Sequence, residues 1–292
     1  MRDGTGMVGR ILFAARCGTK LDYDCKKWRL FADILNDVAM FMEIITPRFS
    51  RELTLPVLCL ASLSRSIVGV AGGATKAAVA QHQAKNHNMA DLSAKDGSQE
   101  TMVNLLALLV NLWMLPRIAN YPDLVMPLFC VLTLLHIFAN YKAVSSLEFT
   151  SLNEARLRAV LQEFLASGQL LSVEEGNLRE SFGFTLRSEI RFGLSLSNLK
   201  TEEDLEKMSA AIKLKKKYLI LLKPGQVWVF LSTHSGSRDA LQGFLTGLLS
   251  MNPGWSKVDP STILEKLEIK GWCTDRLAIQ TEGFTFSTFT ET

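Results

Sequence analysis

The chain has 292 residues, 48% hydrophobic and 21% charged, with a formal net charge of +3. That length carries one or two domains with a sizeable core, and so small a net charge argues against a nucleic-acid partner. Mean hydropathy is +0.15, unevenly spread: the apolar weight lies before about residue 145 and the ionic weight after it. The contrast predicts a mainly α fold, with an apolar helical, membrane-associated N-terminal part (residues 1–148) and a small α+β domain (residues 149–292).

The first twenty residues hold only a short apolar run, Ile11–Ala15, too short for a signal peptide. Residues 28–45 have helical spacing, with Leu30, Ile34, Val38 and Met42 on one side and Pro47 as the stop. Asp33 and Asp37 lie one turn apart on this helix, either as a solvent-facing stripe or turned towards a partner helix.

The segment 55–81 contains "GVAGGATKAAVAQH", a glycine cluster followed by a lysine. A phosphate loop needs G-x-x-x-x-G-K-[ST] after a strand, and a dinucleotide loop needs G-x-G-x-x-G; neither spacing is present. At helical spacing, Ser62, Ser66, Gly69, Gly73 and Ala77 form one small-residue stripe, and Gly69 with Gly73 make G-x-x-x-G. Such a stripe predicts close helix packing. Arg65 and Lys76, eleven residues apart, share an adjacent face. In an apolar bundle both bases need acids, and Asp33 and Asp37 are the expected partners.

Residues 83–100 read as a polar connector with capping signals at Ser93 and Asp96, and 99–115 as the next helix, ended by Pro116. Glu100, Asn104 and Asn111 share a face of that helix, turned to solvent or to a neighbouring helix. Residues 124–140 form the most hydrophobic window, at the lower length limit for a span. One spanning segment, a re-entrant hairpin and a buried hairpin all fit, and the hydropathy favours membrane association. His136 inside this window reads as a packed histidine with no second metal ligand at a useful spacing.

Beyond residue 145 the pattern predicts a helix over 152–166 stopped by Gly168, irregular structure over 171–200, and a helix over 201–217 with acids first and lysines last. Two strands around Pro224-Gly225 follow, then a helix from a Ser237 cap to about Met251, a helix over 261–270 and a strand near 276–286. The ending "GFTFSTFTET" reads as irregular.

Five scattered cysteines without a C-x-x-C pair argue against a disulfide framework or a zinc site. No H-E-x-x-H or G-x-S-x-G is present. His87 and Asp91, four apart, read as a structural pair as readily as a site, and Ser235 as a loop serine. The residues thus indicate no catalytic group, no metal and no cofactor.

The long ordered stretch "GGATKAA…NMADLSAKDGSQET", with "LFADILNDVAMFMEIITP" and "LHIFANYKAV", resembles the root UVB sensitive (RUS) family, its animal branch above all. The likeness is strong over residues 1–165 and looser over 166–275, where it rests on the strand pair and "LEIKGWCTDRLAIQ". Family members extend further before the "DGTG" at residues 3–6, so the chain reads as N-terminally short. The resemblance implies membrane localisation without fixing an organelle, a partner that is another family member or a second copy, and a link to vitamin B6 balance through plant relatives. It carries no catalytic residues.

Three functions compete. The leading one is a non-catalytic membrane-associated protein. The second is a small-ligand binder or carrier, with Asp33, Asp37, Arg65, Lys76 and Asn104 lining a cavity and a vitamin B6-like ligand by analogy. The third is a membrane-anchored adaptor, for which an exposed apolar patch on residues 218–251 would be the sign.

Overall fold

Helix begins earlier, and runs longer, than the residue pattern predicts. In a computed structural model, which describes residues 2–86, 88–183, 189–251 and 258–287, α1 already covers Arg2–Tyr23. It is followed by α2 (Cys25–Ile45), α3 (Arg51–Gln83), α4 (Met89–Ile118) and α5 (Val125–Ser145). Pro47 lies in a 3-10 turn that closes α2, as its missing N–H requires. The expected connector over 83–100 shrinks to the residues before Met89: Ser93 and Asp96 are interior to α4 and cap nothing. The Lys95–Asp91 pair, four residues apart, supports this polar first third of the helix. Pro116 lies in the last turn of α4 rather than beyond it.

The chain divides into two compact units, up to Leu147 and from Glu148. In the first, α3 packs against α1 and α2, and α2 against α5. Apart from an apolar cluster of Leu21 and Trp28 with Phe13 and Phe31, the buried side chains of α2 and α3 are mostly small or polar. Gly6 and Gly9 of α1 lie against α3 so closely that an added Cβ would sit 2.6 Å from Ser66 Oγ and 2.0 Å from Leu63 Cδ1. Ala61, Ser64, Ala71 and Thr75 form the buried line of α3, and Lys26, Ala32, Asp37 and Ala39 are buried on α2. Many large apolar residues point outward: Ile34 and Val38 of α2 are exposed, and α4 has no buried residue among those described.

The second unit is built the other way round. It holds α6 (Glu154–Ser167), α7 (Val173–Leu178), β1 (Ile190–Phe192), α8 (Glu202–Lys213), β2 (Tyr218–Lys223), β3 (Gln226–Ser232), α9 (Ser237–Ser250), α10 (Pro260–Ile269) and β4 (Thr285–Phe286). β2 and β3 are antiparallel, with Lys223 opposite Gln226 across Pro224 and Gly225. Proline presets the first turn residue, and Gly225 supplies the positive φ (69°) of the second. β1 and then β4 pair in parallel with the other edge of β3. Val229, Phe244, Leu245, Leu157, Ile263 and Leu267 belong to its continuous apolar core.

Here helix α9 approaches the sheet through Gly243 and Gly247, where an added Cβ would lie 3.1 Å from Tyr218 and 3.3 Å from Val229. The cap of α9 is Gly236, not Ser237, and its N–H is held by Asp239 Oδ2 at 3.0 Å. α6 ends at Gly168 (φ 75°). The strand expected over 276–286 contracts to β4. His87 and the last residues of "GFTFSTFTET" lie outside the described residues.

Candidate functional site

The polar residues of the first unit sort onto three helix contacts. α2 and α3 run antiparallel, which sets Arg65 of α3 beside Glu43 near the end of α2. The two make a forked pair, with Nη2 at 2.6 Å and Nε at 3.2 Å. Lys76 lies between Asp96 (2.9 Å) and Glu100 (2.7 Å) of α4. The expected pairing of Arg65 and Lys76 with Asp33 and Asp37 is therefore wrong. The acids that satisfy Lys76 share one face of α4, a relation that appears only once 89–118 is a single helix.

Asp33 and Asp37 turn instead to the third contact. Asp37 is buried, and its Oδ2 lies 2.9 Å from His136 Nδ1 on α5, a ring that is 43% exposed. Phe41 stacks on Phe129, 6.1 Å between centroids, so α2 and α5 run antiparallel with the Asp–His pair part-way along the seam. One turn back on α2 is Asp33, 3.6 Å from Arg29 Nε. One turn on along α5 is Asn140, which that register sets level with Asp33.

Asp33 Oδ2 and Asn140 Nδ2 are both buried without a hydrogen-bond partner. One is an acceptor and the other a donor, and a buried polar atom left so is costly. Burial raises the Asp33 pKa above its usual value; Arg29 and His136 pull it down, and Asp37 pushes it up.

The remaining site expectations fare differently. Ser62 and Ser66 do face Gly6 of α1, and an added Cβ at Gly69 would lie 3.6 Å from Arg10 Nη2. Gly73 and Ala77 are exposed, and an added Cβ at Gly73 would meet nothing within 4 Å. They sit two residues beyond the buried Ala71 and Thr75, about 200° round the helix. Asn104 is exposed on α4. Over residues 218–251, Leu222 is the large apolar side chain left exposed, so the adaptor patch is not there.

Sequence reading took His136 as a packed histidine and passed over Asn140. Their spacing of four, on a helix otherwise apolar, was the available signal. It also passed over a second buried network, in which Glu180 accepts from Asn153 (2.7 Å) and Arg156 (3.1 Å), and Asn177 binds both backbone groups of Phe149. Those contacts tie α6 and α7 to the chain before them, a structural role.

Comparison with known proteins gives this arrangement its family. A family described as a vitamin B6 photo-protection and homoeostasis domain matches residues 1–168, and one described as the C-terminal part of root UVB sensitive proteins matches residues 169–253. The chain belongs to the root UVB sensitive family. It is 44% identical over 214 residues to "RUS family member 1" of Dictyostelium discoideum, covering 72% of this chain and 41% of that protein. It is 36% identical over 304 residues to "Protein root UVB sensitive 3" of Arabidopsis thaliana, covering 95% of this chain and 69% of that one. "Protein root UVB sensitive 2, chloroplastic", also of Arabidopsis, is 22% identical over 94% of this chain and 68% of its own. The chain thus spans less than half of the first RUS relative and about two thirds of the other two. No solved structure matches it. The first family match ends at the close of α6, whereas the first structural unit ends before that helix begins.

Proposed function

We infer that this RUS chain is a non-catalytic integral membrane protein, in which α3, α4 and the apolar stretch Pro122–Ser145 cross the bilayer and the second unit lies in water. The observation that carries this is the burial of the long helices: α3 buries only Ala61, Ser64, Ala71 and Thr75 among its described residues, while Leu105, Leu108, Leu134 and Leu135 of α4 and α5 are exposed. Water would drive the opposite arrangement, whereas lipid leaves close packing and polar contact as the forces between helices. The three segments are long and apolar enough, at 33, 30 and 24 residues. Those lengths correspond to about 50, 45 and 36 Å against a hydrocarbon core of about 30 Å. Alkaline extraction tests the reading: the chain should stay with the lipid, and complete release into the aqueous fraction would sink it.

A second reading concerns what the seam holds. Asp33 Oδ2 and Asn140 Nδ2 together suit a small polar molecule offering one donor and one acceptor. The vitamin B6 wording of the matched family makes pyridoxine and pyridoxal the first probes. In detergent, millimolar probe should raise the unfolding temperature of the chain, and Asn140→Leu should remove the rise while leaving the chain folded. No shift with either compound would exclude them as seam ligands.

A further inference from the structure

The second unit carries a cationic tip that its own fold does not use. α8 ends at Lys213, and Leu214, Lys215, Lys216 and Lys217 lead into β2. Lys217 is engaged, donating to His234 O at 2.7 Å and lying 3.9 Å from Asp239. Lys213, Lys215 and Lys216 are exposed and have no ion-pair partner among the described residues. Leu214 between them is 68% exposed. A helix dipole accounts for a lysine in the last turn, as Lys213 is, but not for an exposed leucine or for the lysines beyond the end.

The backbone adds a second observation. Lys216 N–H donates to Ala211 O and Lys215 N–H to Ile212 O, both at 2.9 Å. This paired closure sets Lys215 in the left-handed region, φ 49°, where it is the one non-glycine among the described residues. Helix α10 closes by the same two bonds, Trp272 N–H to Leu267 O and Gly271 N–H to Glu268 O, and uses Gly271 (φ 88°) at the corresponding position. Glycine is the residue that suits this backbone, because a Cβ is disfavoured there. A lysine stands at that position against local preference, which points to a use for its side chain.

We propose that the Lys213–Lys216 tip, with Leu214 as an apolar wedge, docks the second unit onto an anionic lipid surface. Three unpaired ammonium groups around one exposed leucine match a bilayer face, which presents negative headgroups over hydrocarbon. The proposal rests on the membrane reading only in that α3 to α5 bring the tip to a bilayer. Each basic residue near such a surface contributes roughly five-fold to its occupancy, and three contribute on the order of 100-fold.

The test uses the full chain reconstituted into vesicles of phosphatidylcholine, or of phosphatidylcholine with phosphatidylserine. Limited trypsin cleavage after Lys213, Lys215 and Lys216 is read by mass spectrometry against cleavage after Lys270 in the same molecules. Cleavage at the tip should slow at least about ten-fold in the anionic vesicles and recover in about 1 M salt, where screening acts within roughly 3 Å. Equal relative rates in the two vesicles would overturn the proposal. Lys215→Gly gives an opposed pair of effects: a higher unfolding temperature, because glycine suits the turn, and a roughly five-fold loss of protection at Lys213 and Lys216. Unchanged protection in that variant would also overturn it. Flotation of the chain with the vesicles after alkaline washing separates the two readings. Failure to float counts against the crossing helices, and lost protection in a floating chain counts against the tip alone.

Discussion

The two units of this chain solve opposite packing problems. In the second, Leu245, Phe230 and Val229 are buried beneath polar surface, and hydrophobic burial drives the fold. In the first, Leu105, Leu108 and Leu134 are outside, while Ala61, Ala71, Thr75 and Asp37 are inside. Glycine pairs show the same reversal. Gly243 and Gly247 seat a helix on a sheet in the second unit, whereas Gly69 and Gly73, with the same spacing, lie on the exposed side of α3. A residue pattern therefore has no fixed meaning until the surrounding medium is known. G-x-x-x-G marks a surface able to approach closely, and tertiary packing decides whether anything approaches it.

The sharpest way to break this comparison is to make one substitution in both units. Leu245→Ala should destabilise the second unit by about 2–5 kcal/mol, because it opens a cavity in a filled core. Leu108→Ala on α4 should change folding in detergent by less than about 0.5 kcal/mol, since that side chain is exposed. Chemical denaturation of each variant reads both, and equal losses would erase the distinction.

Next in size is the charge test. Leu108→Arg should oppose membrane insertion by about 2.5–3.5 kcal/mol, read as the fraction released by alkali. Unchanged retention would show that α4 does not meet lipid there. A third comparison lies within α3. Ala71→Leu should overpack the buried line and cost about 1–3 kcal/mol, while Gly73→Leu should fall within about 0.5 kcal/mol. A large cost at Gly73 would restore the stripe expected from sequence.

The smallest effect concerns pH in the second unit. Lys223 Nζ donates to Asp204 Oδ2 at 2.5 Å, and this bond, helped by Thr201, holds the Asp204 pKa below 3.8. The pair therefore stabilises the fold above the unfolded pKa, and that contribution is lost as pH falls through the folded value. Lys223→Met should flatten the acid end of the stability profile and leave the neutral region nearly parallel to the parent. An unchanged acid limb would show that the bond contributes little.

Much of the second unit was legible because it obeys rules tied to water and to local backbone. Pro224-Gly225, Gly168 and the acid-to-lysine order of α8 each determine their structure within a few residues. The helices of the first unit were legible as helices, but α2 was read by its apolar side, Leu30, Ile34, Val38 and Met42, when its buried residues include Lys26 and Asp37. The Asp37–His136 pair joins residues 99 positions apart, and no periodicity within either helix points to the other.

The sequence by itself determined the family, the apolar-to-ionic change along the chain and the positions of most helices, because composition, turn residues and a long ordered motif act locally. Tertiary structure alone decided which acids meet which bases and which small residues are contacts. It also decided that Lys215 stands where α10 uses glycine. Those outcomes depend on the register between helices and on the closure of a particular helix end, which become visible only when distant segments are set side by side.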